Sequence, residues 1–219
     1  MGDSMEIDEL RKKMLGEVQK RTSESLAARD RLLAHGVNAL DELTKIINLV
    51  QTRRSEWFIE ELKNPKDMEI EKRYSEEIDC LVKLQEALDS YIDSLAMELM
   101  PNACRLAPPK VAAKLLAHAG SLERLAKMPA STIQVIGAER ALFKHLRKKT
   151  KPPKHGIIFQ SPLINHAPKE ERGRIARALA AKLALAFKLD AFGKRDFGDK
   201  LKTDLDRRLS SIHPTSESG

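Results

Sequence analysis

Branched aliphatic residues recur every seven positions early in this chain, at Leu26, Leu33, Leu40 and Ile47, with Val37, Leu43 and Val50 filling the three- and four-residue steps. A stripe of this period keeps one helix face apolar over many turns and suits no strand, whose faces alternate every second residue. Tyr74, Ile78, Leu81, Leu88, Ile92, Leu95 and Leu99 repeat the rhythm. Between the stripes lies Asn64-Pro65. Proline donates no backbone hydrogen bond and disfavours a helical residue before it, so the chain breaks or turns there. The pattern predicts an antiparallel hairpin of two helices of about 30 residues, each roughly 45 Å long. A hairpin of that length suits an arm or a dimerisation element. The competing expectation is two ordinary helices folded onto the rest of the chain.

Composition extends this to the whole molecule. Of the 219 residues, 42% are apolar but only 4% aromatic. A chain rich in Leu, Ala, Glu and Lys and poor in β-branched and aromatic residues favours helices over a sandwich or barrel. The fold class expected is all-α. No apolar run approaches the roughly 18 residues of a membrane span, so no membrane association is expected. The acidic start (Asp3, Glu6, Asp8, Glu9) does not resemble a secretory leader. Cys80 and Cys104 are read as reduced intracellular thiols.

The net charge of +7 conceals a division. Residues 1–100 carry 15 basic and 22 acidic side chains, a net of −7; residues 101–219 carry 24 and 10, a net of +14. A basic half this dense is the electrostatic footprint of a polyanion partner, most often nucleic acid. Arg140, Lys144, Arg147 and Lys151 fall at steps of four, three and four, one helix face continued into the next loop, along which phosphates of an RNA stem can lie. Gly137, at the start of that helix, is expected to let backbone N–H groups approach a phosphate. Arg172, Arg174, Arg177 and Lys182 form a second basic row. Ile133, Val135, Ile136, Leu142 and Leu146 are core or protein-partner contacts, which periodicity does not separate.

Pro101 and Pro108-Pro109 mark a boundary. The organisation expected is an N-terminal extension over 1–24, a hairpin arm over 25–100, a compact helical domain over 101–210 and a flexible tail over 211–219. In the second part, helices are expected from Pro109 to Ala119, from Ser121 to Lys127, through Ala138–Leu146, and from Lys169 to about Leu189. Residues 199–209 are expected to form a last short one. Ile157-Ile158-Phe159 is a short apolar piece compatible with extended chain.

The stretch from Ala119 to Phe143, with Met128-Pro129-Ala130-Ser131-Thr132 and Gly137-Ala138-Glu139-Arg140-Ala141-Leu142-Phe143 in it, resembles the signature of the Nop-domain family. So do Gly173-Arg174-Ile175-Ala176-Arg177 and the Pro153-Lys154-His155-Gly156 loop. Asp41–Asn48 and Arg54–Phe58 are similar to the start of that family's coiled-coil arm. The resemblance covers about residues 25 to 209. It implies an RNA-binding scaffold of the kind found in archaeal and nucleolar box C/D ribonucleoproteins and in the spliceosomal tri-snRNP. Such a scaffold recognises a kink-turn RNA together with a bound ribosomal-type kink-turn protein. The resemblance places Lys127 and Ala130 against the RNA, and Lys154 and His155 in the loop that caps the RNA stem, where a histidine ring can stack on a base. Ile133, Gln134, Ile136 and Ala138 are assigned to the partner protein. The arm is expected to pair with another Nop protein or with itself. About 24 residues precede the arm, fewer than the family's methyltransferase-docking domain needs, which leaves a methyltransferase partner in doubt. The compartment expected is the cytoplasm of an archaeal host, or the nucleus of a eukaryotic one. The alternative is a helical interaction protein whose basic face is incidental.

Enzyme readings lack support. There is no glycine-rich phosphate loop, and the six histidines show no metal-ligand spacing. No catalytic residue, cofactor or metal is expected.

Overall fold

The computed structural model describes residues 11, 14, 29–57, 64–193 and 196–212. The expectations for residues 1–10, for Leu26 and Phe58 and for residues 213–219 fall outside them. Among the described residues the fold is all-α, without a strand.

Helix α1 runs Arg29–Trp57 and α2 runs Pro65–Leu99. The seven-residue stripe is the buried seam of α1: Leu33, Val37, Leu40 and Ile47 are buried, and Ile78, Ile92, Leu95 and Ala96 meet them from α2. Gly36 lets the helices approach closely, since a Cβ there would already touch Ile92 Cγ1 at 3.4 Å. The break falls where Pro65 requires it. Asn64 caps α2, its side chain accepting from the Lys66 N–H at 3.0 Å. Polar ties between the helices fix their register: Arg54 pairs with Glu71, and Gln85 Nε2 donates to Thr44 Oγ1 at 2.8 Å.

Short helices follow: α3 (Pro101–Leu106), α4 (Pro109–Ala119), α5 (Leu122–Lys127), α6 (Ala130–Val135) and α7 (Glu139–Lys148). A 3₁₀ turn at Ile157–Gln160 leads into α8 (Pro162–Asn165) and α9 (Arg172–Lys188). A single wide helical turn, Leu189–Gly193, precedes α10 (Gly198–Ser210). Two helices organise the core. In α4, Val111, Ala112, Ala113, Leu115, Leu116 and Ala119 are buried, and in α9 Ile175, Ala176, Leu179, Ala180, Leu183, Ala184, Ala186 and Phe187. Alanine dominates both because it lets neighbouring backbones close in while costing no side-chain entropy.

The apolar core runs without interruption from the base of the hairpin into the helices after Pro101; Leu33, Val37, Ile92 and Met100 belong to the same cluster as Leu116, Leu125 and Phe187. Lys110 pairs with Asp89 of α2 at 2.8 Å and Lys114 with Asp41 of α1 at 3.6 Å, so α4 grips both arm helices. Asp30 of α1 accepts the Leu122 N–H at 3.1 Å, and Ser121 accepts that of Arg124 at 3.2 Å, together capping α5. The buried Asn102 is the second junction. Asp190 accepts from its backbone N–H, its amide nitrogen and the Ala103 N–H at 2.7–3.1 Å, while Asn102 Oδ1 accepts from Phe197 N–H at 2.7 Å. Burial raises the Asp190 pKa against these hydrogen bonds, and burial beside Asp190 and Asp93 pushes the Cys104 thiol up to about 12.

Two sequence expectations change. Ile157–Phe159 is not extended: Phe159 N–H turns back to the Gly156 carbonyl at 3.0 Å, closing a 3₁₀ turn. The helix expected from Lys169 begins at Arg172, because Glu171 and Arg172 N–H both return to the Pro168 carbonyl in a preceding turn.

Candidate nucleic-acid interface

Three groups of basic residues emerge, each built by different elements. The first is the Lys154-His155 loop. Its backbone is clamped to the segment leaving α6: Gly156 N–H donates to the Gln134 carbonyl and Ile157 N–H to the Ile136 carbonyl, each at 2.8 Å. Gln134 Nε2 adds a third bond, to the Lys154 carbonyl at 2.7 Å. No Cβ fits at Gly156, where it would lie 1.9 Å from the Ile136 carbonyl oxygen. The Lys154 stem crosses the start of α9, its Cδ 3.6 Å from where a Gly173 Cβ would stand. His155 stacks on Phe159 with centroids 4.4 Å apart and planes 13° from parallel, and the Arg172 guanidinium lies 5.4 Å from the same ring. Arg172 is itself anchored to the carbonyls of Ala167 (2.9 Å) and Asn165 (3.1 Å). Burial, then the charges of Arg172 and Lys154, hold the His155 pKa below its usual 6.5. The ring is therefore a neutral, preoriented aromatic surface at neutral pH.

The second group is α7. Arg140, Phe143, Lys144, Arg147 and Lys148 line a shallow groove of about 430 Å³. No residue of this helix is buried, and Phe143 and Leu146 are 63% and 67% exposed. Lys149 ends the helix in the left-handed conformation (φ 49°), and Lys151 lies on the loop beyond it.

The third group lies between α9 and α10, where Arg174, Arg177 and Lys182 face Arg207 and Arg208 across a groove of about 870 Å³. Residues 207 and 208 were not foreseen. The available signal was the spacing of Leu201, Leu205, Leu209 and Ile212, which leaves both arginines on the flank of the apolar face.

Several of the expected contact residues are engaged within the chain itself. Gly137 does not offer its N–H to a phosphate: that N–H donates to Glu139 Oε1 at 2.7 Å, and the carboxylate's charge opposes an anion there. Its glycine is needed for a positive φ of 84°, and for Ile157, whose Cγ1 a Cβ would meet at 2.4 Å. Ile133 is fully buried, so in this conformation it is core rather than a partner contact. Ile136 is buried too, its carbonyl engaged by Ile157. Gln134 spends its side chain on the Lys154 carbonyl. Ala138 is half-buried and starts α7, its carbonyl accepting the Leu142 N–H at 2.9 Å. Lys127 is exposed but paired with Glu123, and Ala130 is half-buried at the head of α6. Among the described residues no cluster suits a metal ion, and no helix is long and apolar enough to cross a membrane.

Comparison with known proteins gives a consistent set. Residues 13–211 match the family described as "Nop: snoRNA binding domain, fibrillarin". An uncharacterised NOP5 family protein of Methanocaldococcus jannaschii is 47% identical over 146 residues, covering 67% of this chain and 35% of that protein. Nucleolar protein 58 of Debaryomyces hansenii is 40% identical over 151 residues, 67% of this chain and 29% of its own length. Nucleolar protein 56 of Homo sapiens is 40% identical over 140 residues, 63% of this chain and 24% of its own. The chain thus spans about a third or less of these relatives. A solved fibrillarin/Nop5p complex contains a chain that superposes with a TM-score of 0.70 at 35% identity, covering 93% of this chain and 77% of that one.

Proposed function

The chain belongs to the Nop family, and on that premise we propose that it is a non-catalytic RNA-binding scaffold that recognises a box C/D-type kink-turn RNA together with its bound kink-turn protein. One observation carries this reading: α7 projects a basic and apolar face with nothing of its own buried, while the nearby sequence clamps a lysine and an aromatic ring into a fixed loop. A helix without packing of its own needs a partner surface to cover Phe143 and Leu146. Arg140, Lys144 and Arg147 beside them suit phosphates. A face of that mixed character fits a protein–RNA composite better than either component alone.

In this reading residues 101–210 form the recognition domain and 25–100 the arm, which pairs with another Nop protein or a second copy. Leu49, Leu84 and Tyr91, exposed on the arm, are the apolar surface it would use. The reading assigns no methyltransferase contact. It places the chain in the nucleus of a eukaryotic host or the cytoplasm of an archaeal one.

The test is a gel-shift titration against a kink-turn RNA with and without the kink-turn protein already bound. Tight binding to the preformed complex alone is the expected result. Equal binding to bare RNA would remove the composite recognition and leave a plain RNA binder; binding to neither would return the molecule to the alternative of a helical interaction protein with an incidental basic face.

A further inference from the structure

We propose that the groove between α9 and α10 is a second RNA site, which holds a stretch of phosphodiester backbone outside the kink-turn. The proposal rests on the RNA-binding reading above and adds a site and two residues to it. The walls are two helix faces. Arg174, Arg177 and Lys182 come from α9; Arg207 and Arg208 come from the last turns of α10. Five cations therefore surround about 870 Å³ with one carboxylate among them.

That carboxylate, Asp204, does not neutralise the groove. It accepts from Lys182 Nζ at 3.1 Å and lies 3.6 Å from Arg207, and the hydrogen bond to Lys182 holds its pKa below the usual carboxylate value. It props Lys182 against the wall and leaves an excess of four positive charges among the lining side chains, of which Arg174 is also paired with Glu171, outside the groove, at 3.6 Å. Arg177 and Arg208 have no ion pair with any described residue. The Arg207 side chain is 78% exposed.

The floor also favours a chain of phosphates over a globular acidic partner. Ala178 and Ala181 lie one turn apart on α9, with Leu205 and Ile212 opposite. Small side chains keep the bottom open while the guanidiniums stand at the rims. Four of the five cations are arginine, whose planar fork grips phosphate oxygens in pairs, whereas lysine acts as a point charge. No amide side chain lines the groove, and in an A-form duplex the major-groove base edges lie too deep for the arginines to reach, which leaves them the phosphates. Binding there is expected to be insensitive to sequence and steeply dependent on salt.

The experiment uses the whole chain and a plain RNA duplex containing no kink-turn, titrated by fluorescence anisotropy across a salt series. Arg207→Glu/Arg208→Glu is expected to weaken binding by roughly tenfold at low salt and to flatten the log–log salt slope by about 2, the value for two lost phosphate contacts. Because glutamate also opposes the helix dipole at the end of α10, Arg207→Gln/Arg208→Gln is measured beside it and should show the same loss in milder form with an unchanged melting curve. Lys45→Glu/Lys83→Glu, an equal charge change at exposed positions of the two arm helices, should retain most duplex binding. The proposal is overturned if the groove variants bind the duplex like wild type, if the arm variant loses as much as they do, or if poly-glutamate displaces the duplex at equal charge. The kink-turn titration is read in parallel: loss of composite recognition with groove-dependent duplex binding intact would sink the earlier reading and spare this one.

Discussion

Helices α7 and α9 both belong to the basic part of the chain, yet they are built on opposite terms. Helix α9 buries eight residues and is the spine of the fold; α7 buries none and is held at its ends, by the Gly137–Glu139 contact at one and by His145 against the Thr150 carbonyl at the other. Charge alone made the two look alike. Burial separates them: in α9 the cations fringe a packed helix, whereas in α7 they share an exposed face with Phe143 and Leu146.

The largest effect expected on that contrast comes from emptying α9. Phe187→Ala removes a fully buried ring and should cost about 3–5 kcal/mol, lowering the melting temperature by roughly 10 °C. Phe143→Ala on α7 should stay within about 0.5 kcal/mol of wild type while weakening assembly with the kink-turn complex by roughly tenfold. Chemical denaturation and gel shift together decide it. If Phe143→Ala were as destabilising as Phe187→Ala, the exposed face of α7 would be packing after all, and the contrast would collapse.

The clamp between the α6 exit and the 154–156 loop sits between these extremes. Gly156→Ala forces a methyl group into the Ile136 carbonyl and should cost about 2 kcal/mol, since neither backbone segment can yield without breaking the paired hydrogen bonds. Gln134→Ala removes only the side-chain bond to Lys154 and should cost about 1 kcal/mol. Both should weaken binding of the preformed complex, as Lys154→Glu is expected to, but with a stability change not expected of Lys154→Glu. Unchanged binding in Gln134→Ala would show that the loop needs no clamp to be competent.

How much of this was legible follows from how local each cause is. The arm's seam at Leu33, Leu40 and Ile47, the break at Asn64-Pro65 and the Ser121 cap all depend on residues within a few positions, and sequence reading placed them. Three/four periodicity marks Ile133 as part of an apolar face without saying what covers it, core or partner; here the cover is the chain's own core, with α9 packed on α6. For Gly137 the cause is different. The group that takes its N–H is Glu139, two residues away, and a glycine at a helix start does not by itself say whether a side chain of the same turn already holds its N–H. The α9–α10 groove needed tertiary packing of helices whose basic residues lie some thirty positions apart.

His155 gives the smallest and most specific prediction. Its ring is partly covered by Phe159 and sits near two cations, both of which disfavour the imidazolium. The unfolded chain protonates this residue near 6.5 and the folded one at a lower pH. Stability tied to the neutral ring is therefore complete above 6.5 and is lost as pH falls through the folded value. Binding should follow two opposed tendencies below that point, since an imidazolium attracts phosphate but is repelled by Arg172 and Lys154. An NMR titration of the imidazole protons separates them. A midpoint below 6.5, moved back toward 6.5 in Arg172→Gln, is the expected result, because after burial the guanidinium is the strongest influence holding the ring neutral. A midpoint at or above 6.5 in wild type would mean that the ring spends its time off the Phe159 surface, and the loop would then differ from α7 only in sequence, not in being fixed before RNA arrives.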